Sequence, residues 1–211
     1  MTFVRYKENL SDLIEQAWRA LGHTKIRVIE KEIRGVQLPQ GVAILDIETT
    51  GLEPDTCEIV SYGIVRENRA KVVIRITGEE KELLEHLRKD LEGVSILYAF
   101  YAQFEETWLN YKLGSLSIQF RDLKRTSGRL KEIIPFDWGD NTDGEQVPRL
   151  WRNWTERLSF GSLSTIIHHN LADLMRELIL FVVLWNDGFN GVSISEEEWN
   201  CKEDGSNDIK D

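Results

Sequence analysis

The apolar positions of this chain change period several times, and each change marks an element. From Asn9 to Gly22, Leu10, Leu13, Ile14, Ala17, Trp18 and Leu21 recur at helical spacing, with Ser11 a candidate N-cap and Gly22 a stop. Lys25 to Gly35 opens with alternation at Ile26 and Val28 and then loses it, which predicts a strand. After the break at Pro39-Gln40-Gly41, the run Val42-Ala43-Ile44-Leu45 predicts a buried strand ending at Asp46. Residues 57–67 and 70–77 predict two further strands with a hairpin turn over Arg66-Glu67-Asn68-Arg69, making an antiparallel meander with the Asp46 strand. Glu79 to Leu91 is an amphipathic helix, with Leu83, Leu84, Leu87 and Leu91 on one face. A short strand (Ser95 to Phe100), a helix (Gln103 to Lys112) and a strand (Leu116 to Leu123) follow. From Lys124 to Ser159 the pattern is irregular, interrupted at Pro135, Gly139 and Pro148. Ser164 to Asp187 is the longest apolar-periodic helix. Strands first, then strands alternating with helices, predict a mixed α/β domain.

Composition narrows this picture. A chain of 211 residues, 41% hydrophobic and 29% charged, is expected to form one soluble domain of ordinary size. The longest apolar stretch, Leu178 to Trp185, is too short to cross a bilayer, and residues 1–8 lack the apolar core of a secretory signal. A cytoplasmic protein without membrane association is therefore expected. Cys57 and Cys201 make neither a metal-binding spacing nor a disulfide framework. The net charge of −10 argues against a surface broadly coated by nucleic acid. That charge is uneven, because residues 193–211 carry seven acids against two lysines. The expected division is an N-terminal extension over 1–39, a main domain over 40–190 and an acidic, disordered tail over 191–211. Oligomeric state and any protein partner stay open.

The chemistry concentrates at Asp46-Ile47-Glu48-Thr49-Thr50-Gly51. Side chains two apart on a strand share a face, so Asp46 and Glu48 point the same way. Two acids aimed together at the end of a buried strand cost stability unless something neutralises them. A divalent cation is the usual neutraliser, and a two-cation site is a usual device for cutting phosphodiesters. As a string, a hydrophobic strand followed by Asp-x-Glu-Thr-Thr-Gly resembles the first motif of the DEDD (DnaQ-like) 3′–5′ exonucleases of the ribonuclease H-like superfamily. The resemblance implies a ribonuclease H-like fold: a mixed five-stranded sheet with antiparallel first strands, flanked by helices. It also implies that Asp46 and Glu48 bind two Mg²⁺ or Mn²⁺ ions, Asp46 bridging both.

The second motif of that family places an acid after an aromatic residue, and Phe104-Glu105 stands there with glutamate where aspartate is common. Glu105 either completes the metal site or begins a solvated helix face with Glu106. Asp122, at a strand end, is the alternative. The third motif falls on the last helix, where Asp173 is the candidate fourth carboxylate. A general base a turn earlier would orient the attacking water. His168, five residues before Asp173, matches one branch of the family, and His169, four before it, matches the tyrosine position of the other. His169-Asn170-x-x-Asp173, the strand-end Asp122-Leu123 and Asp143-Gly144-x-x-Val147-Pro148-x-Leu150-Trp151 together resemble the YprB-like ribonuclease H-like group, which favours His169. The resemblance covers about residues 40–185.

Basic residues gather in two places, Arg121, Lys124 and Arg125 with Arg129 and Lys131, and Arg149, Arg152 and Arg157 interleaved with Trp151 and Trp154. Cations beside aromatic rings suit single-stranded nucleic acid, although such tryptophans also serve as core residues. The expectation is a metal-dependent nuclease acting on single-stranded DNA or RNA from the 3′ end. Asp46, Glu48, Glu105 and Asp173 would hold metal, His169 or His168 would orient water, and Thr49, Arg121, Lys124, Arg125, Arg149 and Arg152 would contact substrate. A non-catalytic nucleic-acid-binding adaptor and an endonuclease of ribonuclease H type are the alternatives.

Overall fold

The computed structural model describes residues 25–77, 79–124, 127–136 and 139–188. The helix expected over residues 9–22, Arg125 and the acidic tail lie outside the described residues. The chain runs β1 (Ile26–Glu32), β2 (Val42–Thr49), β3 (Ile59–Arg66), β4 (Arg69–Arg75), α1 (Glu80–Asp90), β5 (Ile96–Ala99), α2 (Ala102–Leu113), β6 (Gln119–Asp122), α3 (Leu130–Ile133), α4 (Val147–Arg157) and α5 (Phe160–Gly188). The strands form one sheet in the order β1-β4-β3-β2-β5-β6. β1 to β4 pair antiparallel, while β2–β5 and β5–β6 pair parallel.

The expected mixed α/β fold with antiparallel first strands is the one observed, with six strands rather than five. The addition is β1, from the N-terminal extension, which pairs along β4 from Ile26 opposite Arg75 to Glu32 opposite Arg69. Its alternation fades because this edge strand is mostly exposed and only Ile26 and Ile29 are partly covered.

β2 shows why the central run lacks visible alternation. Ala43, Leu45 and Ile47 pack with Leu83 and Leu87 of α1 and Trp108 and Leu109 of α2. Val42 and Ile44 pack on the opposite face with Leu174, Leu178 and Phe181 of α5. Both faces are covered, so every position is apolar until Asp46. The acids therefore continue the row of Val42 and Ile44 on the face beneath α5.

A third core joins α4 and α5 to the sheet through Val60, Ile74, Val147, Trp151, Trp154 and Ile166. Helix α4 falls inside the stretch expected to be irregular. Pro148 stands in its first turn, where a missing N–H costs nothing, so it starts the helix instead of interrupting it. Among the described residues no helix is long and apolar enough to cross a membrane.

Candidate active site

Strand order reverses at β2, since the chain leaves it toward β3 and β4 on one side and returns as β5 and β6 on the other. Crevices at such switch points, beyond the carboxyl ends of the strands, are where α/β sheets bind ligands. Here the crevice is an open cleft of about 330 Å³, lined by Asp46 and Glu48 from β2, Glu105 from α2, and His169, Asp173 and Glu177 from α5.

Each acid reaches the cleft for a local reason. Asp46 stands across β3 from Gly63, whose bare backbone lets α5 come close. Asn170 Nδ2 then donates to Asp46 Oδ2 at 2.5 Å, and Ser61 Oγ donates to Asn170 Oδ1 at 2.9 Å. Glu105 occupies the first turn of α2 and is 4% exposed. His169, Asp173 and Glu177 recur every four residues and so share one face of α5.

His169 is 2% exposed and held at Nδ1. Nδ1 lies 3.1 Å from Asp140 Oδ2, while Nε2 faces Glu48 Oε1 at 3.6 Å and Asp173 Oδ2 at 3.8 Å. An ionised carboxylate only accepts, so Nδ1–H donates to Asp140, and Nε2 is the nitrogen directed at Glu48 and Asp173. Asp140 is itself fixed by Lys131 Nζ at 3.1 Å, Arg176 Nη1 at 3.2 Å and the Thr142 amide at 3.0 Å. Arg176 Nη1 also donates to Asp173 Oδ1 at 2.5 Å.

These surroundings split the acids into two electrostatic classes. Burial works against the Asp140 charge, but hydrogen bonds from His169 and Thr142 and the nearby Lys131 hold it well below the usual carboxylate range. The rest of the cluster goes the other way. Burial, then the Asp173 charge, push Asp46 well above its ordinary value against the Asn170 hydrogen bond. Burial and then Asp46, Asp173 and Asp140 push Glu48 up, and burial and then Asp46 push up both Glu105 and Glu177. Oε2 of Glu105 and Oε2 of Glu177 are buried without a hydrogen-bond partner.

That contrast decides where a divalent cation fits. Asp140, His169 and Asp173 offer donor atoms within 4.8 Å of one another. In that trio, however, Asp140 already has Lys131 and Arg176 for countercharge. Asp46, Glu48, Glu105 and Glu177 instead resist ionising together for want of a paired cation, and two of their carboxyl oxygens have no donor. Hard oxygen donors of this kind suit Mg²⁺ or Mn²⁺.

Of the residues expected at the site, Asp46, Glu48, Glu105, His169 and Asp173 come together in the cleft. His168 does not, because it is exposed on the next face of α5. Asp122 is exposed and caps a turn, accepting the Lys124 amide at 2.7 Å. Lys124 lines the cleft, with Nζ 5.2 Å from the Tyr101 ring and 5.4 Å from the Phe100 ring. Thr49 is turned inward, its Oγ1 donating to Gly51 O at 2.5 Å. Arg121 hydrogen-bonds to Tyr98 and Gln119 outside the cleft lining. Arg149 and Arg152 are exposed on α4, but the neighbouring Trp151 and Trp154 are core, and Trp154 Nε1–H donates to Ile76 O at 2.9 Å. Those rings therefore offer bases no stacking surface. Sequence reasoning missed Asp140, Arg176 and Glu177. The four-residue spacing of 169, 173 and 177 could have found Glu177, whereas nothing local marks Asp140.

Three comparisons with known proteins give matches. The protein "Uncharacterized protein MJ0365" of Methanocaldococcus jannaschii is 27% identical over 173 residues, covering 69% of this chain and 96% of that one. A solved structure described as "apo form of the nuclease" matches with a TM-score of 0.42 at 20% identity, over 70% of this chain and 75% of the other. The sequence pattern of the family RNase_H_2, described as RNase_H superfamily, matches residues 43–185, which runs from the first buried residues of β2 to the last turns of α5. With that match over more than half its length, the chain belongs to the RNase_H superfamily.

Proposed function

We propose that this protein is a metal-dependent nuclease of the DEDD type, akin to the YprB-like group, that shortens single-stranded DNA or RNA from its 3′ end. The observation that carries this reading is the convergence of buried, uncompensated carboxylates from β2, α2 and α5 in one open cleft. Asp46, Glu48, Glu105 and Asp173 are the residues that would hold two Mg²⁺ or Mn²⁺ ions. The chemistry such ions supply when bound is acidification of a water and stabilisation of charge on the leaving oxygen.

The chain's own residues account for the remainder. Asp140 fixes the His169 tautomer, so Nε2 is free to take a proton from a water placed between Glu48 and Asp173. Arg176 holds both Asp140 and Asp173 and so keeps the base and the acid in register. At the mouth, Lys124 and the exposed Arg129 offer charge to phosphates, and Tyr101, 53% exposed, offers a ring face to a base.

The test is degradation of 5′-labelled single-stranded DNA and RNA with Mn²⁺, comparing the wild type with Asp46→Ala and adding a circular strand. A ladder that shortens from the 3′ end, spares the circle and vanishes in the variant supports the proposal. Cutting of the circle would make the protein an endonuclease. No metal-dependent cleavage of either strand would leave a binding module.

A further inference from the structure

Four acids carry the reading above, yet the cleft contains a fifth that meets a cation's requirements better than one of the four. Glu177 stands one helical turn beyond Asp173 on the same face of α5 and is 1% exposed. Its Oε1 accepts the Phe100 amide N–H at 2.9 Å. Its Oε2 is buried in the cleft wall with no donor.

Asp173 is differently placed. Its Oδ1 accepts from Arg176, and its Oδ2 lies 3.8 Å from His169 Nε2. A fixed cation already answers its charge. Across from Glu177, Glu105 is almost as buried and also has one oxygen without a donor. Two buried carboxyl groups on different helices, each with an unpartnered oxygen in one cleft, resist ionising together unless positive charge comes between them.

A purely structural role does not explain a carboxyl group at Glu177. Accepting the Phe100 amide needs a single oxygen, which the neutral amide of glutamine would supply at lower desolvation cost. What a carboxyl adds is a second oxygen, buried in the wall of the cleft that the acids of β2 and α2 also line, which can give up its proton to a cation.

We infer that Glu177 is a metal ligand that shares a divalent cation with Asp46 and Glu105, while Asp173, held by Arg176, serves with His169 on the side of the attacking water. This rests on the metal-dependent reading above and adds a fifth carboxylate to it. Because the same side chain holds the Phe100 amide, cation binding is tied to the turn that presents Tyr101 at the cleft mouth.

The experiment is calorimetric titration of the metal-stripped full chain with MnCl₂, for wild type, Glu177→Gln, Glu177→Asp and Asp46→Ala. Glu177→Gln keeps an acceptor for the Phe100 amide and removes only the charge, so its melting temperature in EDTA should match or exceed that of the wild type. Its Mn²⁺ affinity should fall at least about tenfold, and Glu177→Asp should recover part of that loss. Affinity of Glu177→Gln within about twofold of wild type, with Asp46→Ala still defective, would overturn the inference and leave the metal reading standing. Equal loss in Glu177→Gln and Glu177→Asp would assign Glu177 to packing and also overturn it. A wild type that binds no Mn²⁺ would overturn both.

Discussion

Gly63 is the position where packing and chemistry are most tightly joined, and replacing it with alanine should separate their effects. It stands directly opposite Asp46 in the β2–β3 pair, so a side chain there would rise on the same face, beneath α5. An added Cβ would lie 3.1 Å from Leu174 Cδ2, 3.3 Å from Leu174 Cβ and 3.4 Å from Asn170 Nδ2. Contacts that short force a shift of a few tenths of an ångström, and the neighbour that must shift is a helix. Two terms oppose each other in stability. Alanine gains about 0.5–1 kcal/mol over glycine in a strand. Overpacking costs about 1–3 kcal/mol, which leaves a net loss near 1 kcal/mol and a melting temperature lower by about 2–4 °C. The catalytic effect should be larger in proportion, because α5 carries Asn170, His169, Asp173 and Glu177 together. Misplacing reacting groups by about 1 Å costs on the order of 10²-fold, so a retreat of this size should lower kcat about tenfold. The assay pairs calorimetric melting with decay of the end-labelled oligonucleotide. Gly161→Ala is the control, because its added Cβ meets nothing within 4 Å at the start of the same helix, and it should raise stability by about 0.5–1 kcal/mol without changing the rate. Gly63→Ala with the wild-type melting temperature and wild-type rate would refute the reasoning.

His169→Ala should reduce kcat by about 10²–10⁴-fold while leaving Mn²⁺ affinity nearly intact, and parallel loss of both in a titration would make the histidine a ligand instead of a base. Tyr101→Ala should weaken substrate binding by about 1–3 kcal/mol, seen as a raised KM at unchanged kcat. Lys124→Ala should lower the salt dependence of binding by about one unit of slope, and a wild-type slope would remove Lys124 from the phosphate path. For pH, Asp46, Glu48, Glu105 and Glu177 are all raised, so the folded protein keeps protons that the unfolded chain releases near pH 4. Their contribution is fully present below that pH and is lost as pH rises through the raised folded values. Metal-stripped protein should therefore melt higher at pH 5 than at pH 8, and saturating Mn²⁺ should reverse that order. The lowered Asp140 acts in the opposite sense only in the acid range, where its contribution is lost as pH falls. A metal-free melting temperature that climbs from pH 5 to pH 8 would contradict the buried acid cluster.

The parts of the site legible in the sequence are those fixed by local periodicity. Asp46 and Glu48 follow from the period of two on β2, and Asp173 with His169 from the period of four on α5. Glu105 was legible only through its place after an aromatic residue, and its burial follows from tertiary packing. Asp140 carries no local signal, because it sits in a loop and acquires its role from Lys131, Arg176 and His169, which lie up to 36 residues away. Helix α4 was hidden by Pro148 and by arginines that made its tryptophans look like a binding stripe. Val147, Trp151 and Trp154 in fact carry the helical spacing of a buried face. β1 was legible as a strand but not as a partner of β4, since pairing at a sheet edge depends on where the edge falls.

Everything proposed for the chemistry depends on acids from β2, α2 and α5 jointly holding cations. The most direct test of that is anomalous diffraction from crystals of the full chain soaked in MnCl₂. Anomalous peaks are expected in the cleft within bonding distance of the Asp46, Glu48 and Glu105 carboxylates and of a carboxylate on α5. A cleft without a peak at millimolar Mn²⁺, or a single peak on Asp140 with Asp46 unliganded, would contradict that joint binding.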